Sequence, residues 1–182
     1  MRVLNVGVVG GSFFVVALLA GCASSTTAKP PDAPEALRPP ADQVLALEVQ
    51  ATGVQIYECS ASQEHPERFE WVFKAPEAEL FDRTGRRVGK HYAGPTWEST
   101  DGSTVVGQVK ARDGGPDPGA IPWLLLGAKS NSGTGILSQV KSIQRLQTVG
   151  GKAPSSPCSQ ANTQEVVRVP YKASYYFYVV RH

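Results

Sequence analysis

TWESTDGSTVVGQVKAR, residues 96–112, decides the fold. Asp101-Gly102 is the dipeptide that a type I′ turn prefers, because both central residues of that turn need positive φ. This is the strongest hairpin signal in the chain. HYAGPTWEST, residues 91–100, leads into it and sets His91, Tyr92, Trp97 and Glu98 around Gly94-Pro95. It reads first as the start of a strand: the Gly-Pro pair sets a turn and Trp97 packs inward.

The same punctuation continues on both sides. In VLALEVQATGVQIYEC, residues 44–59, Val54, Ile56 and Cys59 alternate with Gln55, Tyr57 and Glu58, as on a half-buried strand. FEWVFKA, residues 69–75, sends Phe69, Trp71 and Phe73 to one face and Glu70, Val72 and Lys74 to the other. AELFDRTGRRVGKHYAG places a turn at Asp82–Gly85, and DGGPDPG, residues 113–119, is a loop. IPWLLLGAK, residues 121–129, fits a helical turn or a buried strand equally well. Residues 136–148 carry both periods, and the surrounding β-rich context favours strand. EVVRVPYKASYYFYVV is β-branched and aromatic, and Pro170 within it points to an edge or a bulge. In its YYFY, alternation separates Tyr175 and Phe177 from Tyr176 and Tyr178. One pair belongs to the core and the other to a face open to being covered. Trp71, Trp97 and Trp123 are evenly spaced, but their flanks (FEWVF, GPTWES, IPWLLL) do not match, so no repeat is inferred. The expected fold is a single all-β domain, a sandwich or barrel of short antiparallel strands with little helix.

Residues 1–21 have the make-up of an export signal: Arg2, then a mostly apolar, uncharged run. They end in LAGC, residues 19–22, a lipobox whose Cys22 thiol is the natural lipid acceptor. The competing readings are a plain signal peptide with a chance cysteine, and a membrane span for which the glycine-broken run is short. Residues 22–40 are rich in proline and read as a lipidated tether, able to reach roughly 50 Å when extended. Residues 41–182 remain, about one ordinary domain. Ala23 follows the cysteine, a pattern expected for export to the outer membrane of a Gram-negative cell envelope. Setting Arg2 aside, the 18 basic residues become 17 against 16 acidic ones, a mature net charge of +1. No basic cluster is present, so nucleic acid is not an expected partner. With Cys22 taken by lipid, Cys59 and Cys158 form an even pair in an oxidising compartment and are expected to be disulfide-bonded.

Several segments, taken in order, resemble one family. They are GVQIYEC, GRRVGKHYAGPTWESTDGSTVVG, the run from Ile121 to Pro154, the following Cys158, and VPYKASYYFYV. The family comprises uncharacterised extracytoplasmic proteins of bacteria and fungi, filed as a domain of unknown function. Some fungal members carry a malate dehydrogenase label. The resemblance implies a secreted compact domain without assigned catalytic residues. The label does not fit this chain. A dinucleotide site needs G-x-G-x-x-G between a strand and a helix, and GTGILS, residues 133–138, has neither the third glycine nor the context. No cofactor is expected.

No zinc-protease, phosphate-loop or nucleophile-elbow motif occurs in the mature chain. His182 is terminal and His65 precedes a proline in a polar loop. Only His91 has neighbours suited to chemistry. His91, Glu98 and Asp101 match no metal-ligand spacing, so no metal is expected. Glu98 is the more interesting acid, since Asp101 is accounted for by its turn. Tyr92, Trp97, Trp123 and Arg145 are the candidate ligand-binding residues: the aromatics for stacking, and Arg145 for a carboxylate. That carboxylate is a ligand's or, as the favoured alternative, a structural one from Glu98 or Asp82. The leading functional reading is a lipid-anchored, non-enzymatic module that binds a glycan, a small ligand or an envelope protein. The alternative is an extracytoplasmic hydrolase using His91 and Glu98.

Overall fold

The Thr100–Ser103 turn shows how the chain is built. Gly102 has φ +82°, whereas Asp101 stays at negative φ. Gly102 N–H donates to the Ser99 carbonyl and Ser99 N–H to the Ser103 carbonyl. This is a type I turn closed by a left-handed glycine and not the expected type I′. Asp101 fixes the choice. Its carboxylate accepts from the Ser103 N–H and hydroxyl and from the Ile136 N–H, tying this turn to a distant loop.

The computed structural model describes residues 29–181 together with Met1. The expected signal, lipidated Cys22 and first part of the tether fall outside them, as does His182. Eight strands follow one another: β1 (Gln43–Ala61), β2 (Phe69–Phe81), β3 (Arg87–Tyr92), β4 (Thr96–Ser99), β5 (Thr104–Asp113), β6 (Trp123–Ser132), β7 (Ser142–Gly150) and β8 (Val166–Val180). Each pairs antiparallel with the next, and β1 pairs with β8 to close a barrel. Of sandwich and barrel, the barrel is therefore the architecture. Residues 121–129 turn out to be mostly strand, and the strand expected within 136–148 begins at Ser142. β1, β2 and β8 are long, contrary to the expectation of short strands. Bulges interrupt their ladders at Leu45/Leu47 and Ile56/Tyr57, which lets long strands curve around a closed sheet. Pro170 lies opposite Val54 on β1, beyond the last β7–β8 pair, Gly150 with Tyr171. Its missing N–H therefore costs no ladder bond there.

Two apolar clusters hold the wall, one on each side. Inside, Val49, Ala51, Leu80, Val105, Leu126, Ile143 and Phe177 pack with Trp97 and Tyr175. Outside, Tyr176 and Tyr178 pack with Leu45, Leu146 and the half-buried Trp123 and Leu125, under Leu37. The YYFY alternation thus fills the core with one pair and a covered outer face with the other. Leu37, in a short 3-10 turn over Glu35–Leu37, is 0% exposed. Its carbonyl accepts from Gln144 Nε2, and the Gln144 side-chain oxygen accepts from the Tyr178 hydroxyl. The proline-rich segment is therefore docked on the barrel from about Ala33 and is not a free tether up to residue 40.

One expected face is reversed. In the second half of β1, Gln55, Tyr57 and Cys59 are buried, while Val54 and Ile56 are only partly covered. The inward side at this end of the barrel is a polar-lined cavity, so polarity there does not mark the solvent face. The outer wall carries ion pairs: Lys74–Glu58, Arg168–Glu77, Lys90–Glu98 and Arg87–Glu79. Such a surface suits water; a membrane-spanning barrel presents an apolar band.

Cys59 on β1 and Cys158 are disulfide-bonded, with Cα atoms 5.6 Å apart. The bridge pins the 151–165 connection to the wall beside the cavity. Gln164 N–H donates to the Cys59 carbonyl, Cys59 N–H to the Glu165 carbonyl, and Trp71 Nε1 to the Ser156 carbonyl.

Candidate functional site

In an up-and-down barrel the C-terminal ends of odd strands meet the N-terminal ends of even ones. At that end a cavity of about 470 Å³ opens between the strands, within the range of small-molecule sites. Its rim includes the exposed Phe73, Lys74, Gly94 and Arg112, and its depth the buried Gln55, His91, Trp97 and Tyr175.

The floor is aromatic. His91 and Trp97 are cross-strand partners on β3 and β4, with rings stacked at 4.3 Å and 12°. Tyr175 meets both rings edge-on, at 5.1 and 5.2 Å. His91 is 2% exposed, and its Nδ1–H donates to the Thr96 carbonyl at 2.8 Å. Burial holds its pKa down to about 3 against the opposing effect of that hydrogen bond, and the nearby Arg145 charge lowers it further. The ring is thus neutral at physiological pH and packs as an aromatic.

Arg145 supplies the charge. In register it stands between Leu124 on β6 and Tyr175 on β8, facing inward. Its Nε and Nη2 donate to the Pro122 carbonyl at 3.1 and 2.9 Å. No carboxylate pairs with it among the described residues. Neither expected structural partner is available: Glu98 is on the outer wall, and Asp82 caps the β2–β3 turn at the other end by accepting from Thr84 and Arg86. The Tyr171 and Tyr175 hydroxyls approach each other, with Gln55 beside the first and Arg145 beside the second, yet these hydroxyls, Gln55 Nε2 and Trp97 Nε1 are all buried without a well-formed hydrogen bond to protein. Burial raises the pKa of both tyrosines, so both stay protonated. The Tyr57 hydroxyl donates to the Gly151 carbonyl at 2.7 Å. Gly151, at φ +80°, lets the chain pass this close, because a Cβ there would lie 2.8 Å from Tyr171 and 3.1 Å from Gln55.

The sequence-derived candidates divide by face. His91, Trp97 and Arg145 come together at the cavity. Tyr92 and Glu98 lie outside, where the Tyr92 hydroxyl donates to Glu98 at 2.9 Å and Lys90 pairs with Glu98 at 3.2 Å. The Tyr92 hydrogen bond and then Lys90 lower the Glu98 pKa, so it stays ionised. His91 and Glu98 therefore face opposite sides of the sheet and cannot act on one substrate atom. Trp123 belongs to the outer cluster under Leu37. Among the described residues, no three His, Cys, Asp or Glu side chains converge as metal ligands. Gln55 and Tyr57 were not singled out from sequence for the site; the available signal was a buried-strand pattern whose inward phase turns polar.

Fold and site together define an eight-stranded, disulfide-linked up-and-down β-barrel with a donor-lined cavity at one end. Residues 40–179 match the family described as "Protein of unknown function (DUF3455)", and the chain belongs to that family. No curated protein and no solved structure matches the chain.

Proposed function

We propose that this protein is a non-enzymatic binding module that holds a small ligand inside its barrel, anchored to the cell envelope through a lipid on Cys22. The observation that carries the binding reading is the cavity of about 470 Å³ with four buried polar atoms at or beside its wall that make no well-formed hydrogen bond to protein. An unsatisfied buried polar group costs about 1–3 kcal/mol. A cluster of them around one cavity is the expected signature of a site that a ligand completes. A small ligand is favoured over a glycan or protein on the outer face, because the aromatics do not share an exposed face. Trp97 and Tyr175 are inside, Trp123 is half-covered, and Tyr92 is engaged with Glu98. Binding is favoured over turnover because the neutral His91 and the ion-paired Glu98 are on opposite faces.

A thermal-shift screen of the full chain carrying Cys22→Ser tests the binding reading, since a ligand that binds only the native state raises apparent stability by mass action. Hits should vanish in Val109→Phe, which fills the cavity from β5. A broad metabolite library that yields no shift, or hits indifferent to Val109→Phe, would overturn it. The anchor rests on LAGC, residues 19–22. A fatty-acid analogue should label the wild-type chain in a bacterial host and spare Cys22→Ser; equal labelling of the two sinks the lipid reading.

A further inference from the structure

We infer that the barrel cavity binds a small organic monocarboxylate, its anionic head on the Arg145 guanidinium and its apolar body against Val109, Leu124 and Leu126. This rests on the reading of the cavity as a ligand site and adds the class of ligand.

Charge comes first. Arg145 is half-buried, and the part of a guanidinium withdrawn from water is stabilised by a counter-charge or by acceptors. Arg145 has five N–H donors; the Pro122 carbonyl engages Nε and Nη2, and the Tyr175 hydroxyl beside the guanidinium is neutral. That carbonyl orients the group without neutralising it. No Asp or Glu lines the cavity. The other two cations of the lining are at the rim: Lys74 already pairs with Glu58 at 3.4 Å, and Arg112 is exposed to solvent. The interior therefore has one uncompensated positive charge, which a monoanion matches and a dianion exceeds.

The neighbouring groups point the same way. Gln55 Nε2, Trp97 Nε1 and the Tyr171 and Tyr175 hydroxyls are buried without a well-formed hydrogen bond; Gln55 and the two tyrosines approach one another, and an acceptor in the cavity would draw their donors to it. A planar fork among donors suits the two oxygens of a carboxylate. Much of the remaining lining (Phe73, Pro95, Val109, Ile121, Leu124, Leu126) is apolar, and the other two cations, Lys74 and Arg112, are out at the rim.

Matched probes test this on the unaltered wall, in the full chain with Cys22→Ser. Phenylacetate and phenylacetamide form one pair, hexanoate and hexanamide the other. Binding is followed by NMR at the Arg145 side-chain Nε–H and the Trp97 indole N–H. Carboxylates should move both resonances, and the carboxamides should bind roughly tenfold or more weakly, the worth of a charge-assisted hydrogen bond over a neutral one. Arg145→Gln should reduce carboxylate binding to the carboxamide level, and Arg145→Lys should restore part of it. Equal binding of acids and amides at Trp97, or carboxylate binding that survives Arg145→Gln, overturns the anion inference and leaves the cavity reading standing. If no probe of either kind moves Trp97 or Arg145, both fall.

Discussion

Acidification should destabilise this barrel through one buried group well before its carboxylates titrate. His91 is held down to about 3 in the folded protein, against an ordinary value of 6.5. Between those values the unfolded chain binds a proton that the folded one refuses. The contribution is fully present above pH 6.5 and is lost as pH falls toward 3. The slope is about 1.4 kcal/mol per pH unit. From pH 6.5 to 4 that amounts to about 3 kcal/mol, a large share of a typical stability of about 5–15 kcal/mol. Asp82 and Asp101 are both held near 2 by hydrogen bonds, foremost from the Thr84 and Ser103 side chains respectively. Their contributions are present above 3.8 and fade only as pH drops through that value toward 2, so the window from 6.5 to 4.5 belongs to His91. The control is His91→Asn, which keeps an N–H donor for the Thr96 carbonyl and cannot titrate. Urea unfolding followed by tryptophan fluorescence at pH 7, 6, 5 and 4.5 gives the two profiles. The wild type should lose about 1.4 kcal/mol per unit more than His91→Asn. Parallel profiles, or a His91 ring resonance titrating near 6.5 in the folded protein, would refute the reasoning.

Leu37→Ala should cost about 2–5 kcal/mol, the range for a fully buried leucine, because Leu37 is 0% exposed against the outer cluster. Hydrogen exchange should quicken around residues 33–38 and at Tyr176 and Tyr178; an unchanged urea midpoint would show that the segment does not hold the outer face. Replacing both Cys59 and Cys158 with serine removes a bridge across a sequence separation of 99. The chain-entropy limit for such a loop is about 4.7 kcal/mol, and a loss under about 1 kcal/mol in equilibrium unfolding would mean that the bridge does not constrain the unfolded chain as that model requires.

Turn chemistry was the legible part of the fold. Asp82–Gly85, Asp101-Gly102 and DGGPDPG each fall between strands, because glycine and aspartate act locally and need no distant partner. The type of the Asp101 turn was not legible, since its carboxylate accepts from the Ile136 N–H, far along the chain, as well as from Ser103. Closure was hidden for the same reason. Barrel and sandwich differ here by whether β1 pairs with β8, a contact between the two ends of the domain. Leu37 was unreadable as a core residue because its neighbours in sequence are proline, alanine and charge, and the cluster it joins draws on β1, β5, β6, β7 and β8.

The site was written in the sequence in a form that only the topology decodes. Along β1 the inward positions run Val49, Ala51, then Gln55 and Tyr57. Along β7 they pass from Ile143 to Arg145, and along β8, read backwards, from Phe177 through Tyr175 to Tyr171. His91 and Arg112 are the last residues but one of β3 and β5, and Phe73 and Lys74 fall in the first half of β2. Taken strand by strand, each is a blemish in an apolar pattern, and Gln55 and Tyr57 invert the face assignment outright. Taken on a meander, where odd strands run one way and even strands the other, all the blemishes fall at one end of one barrel. A core has no physical reason to turn polar at the same end of so many strands, since each buried polar group there forfeits water. A cavity that receives a polar ligand supplies that reason. The same logic separates the candidates: Trp97 and Arg145 lie in the inward phase at that end, whereas Tyr92, Glu98 and Trp123 lie in the outward phase however near they are in sequence.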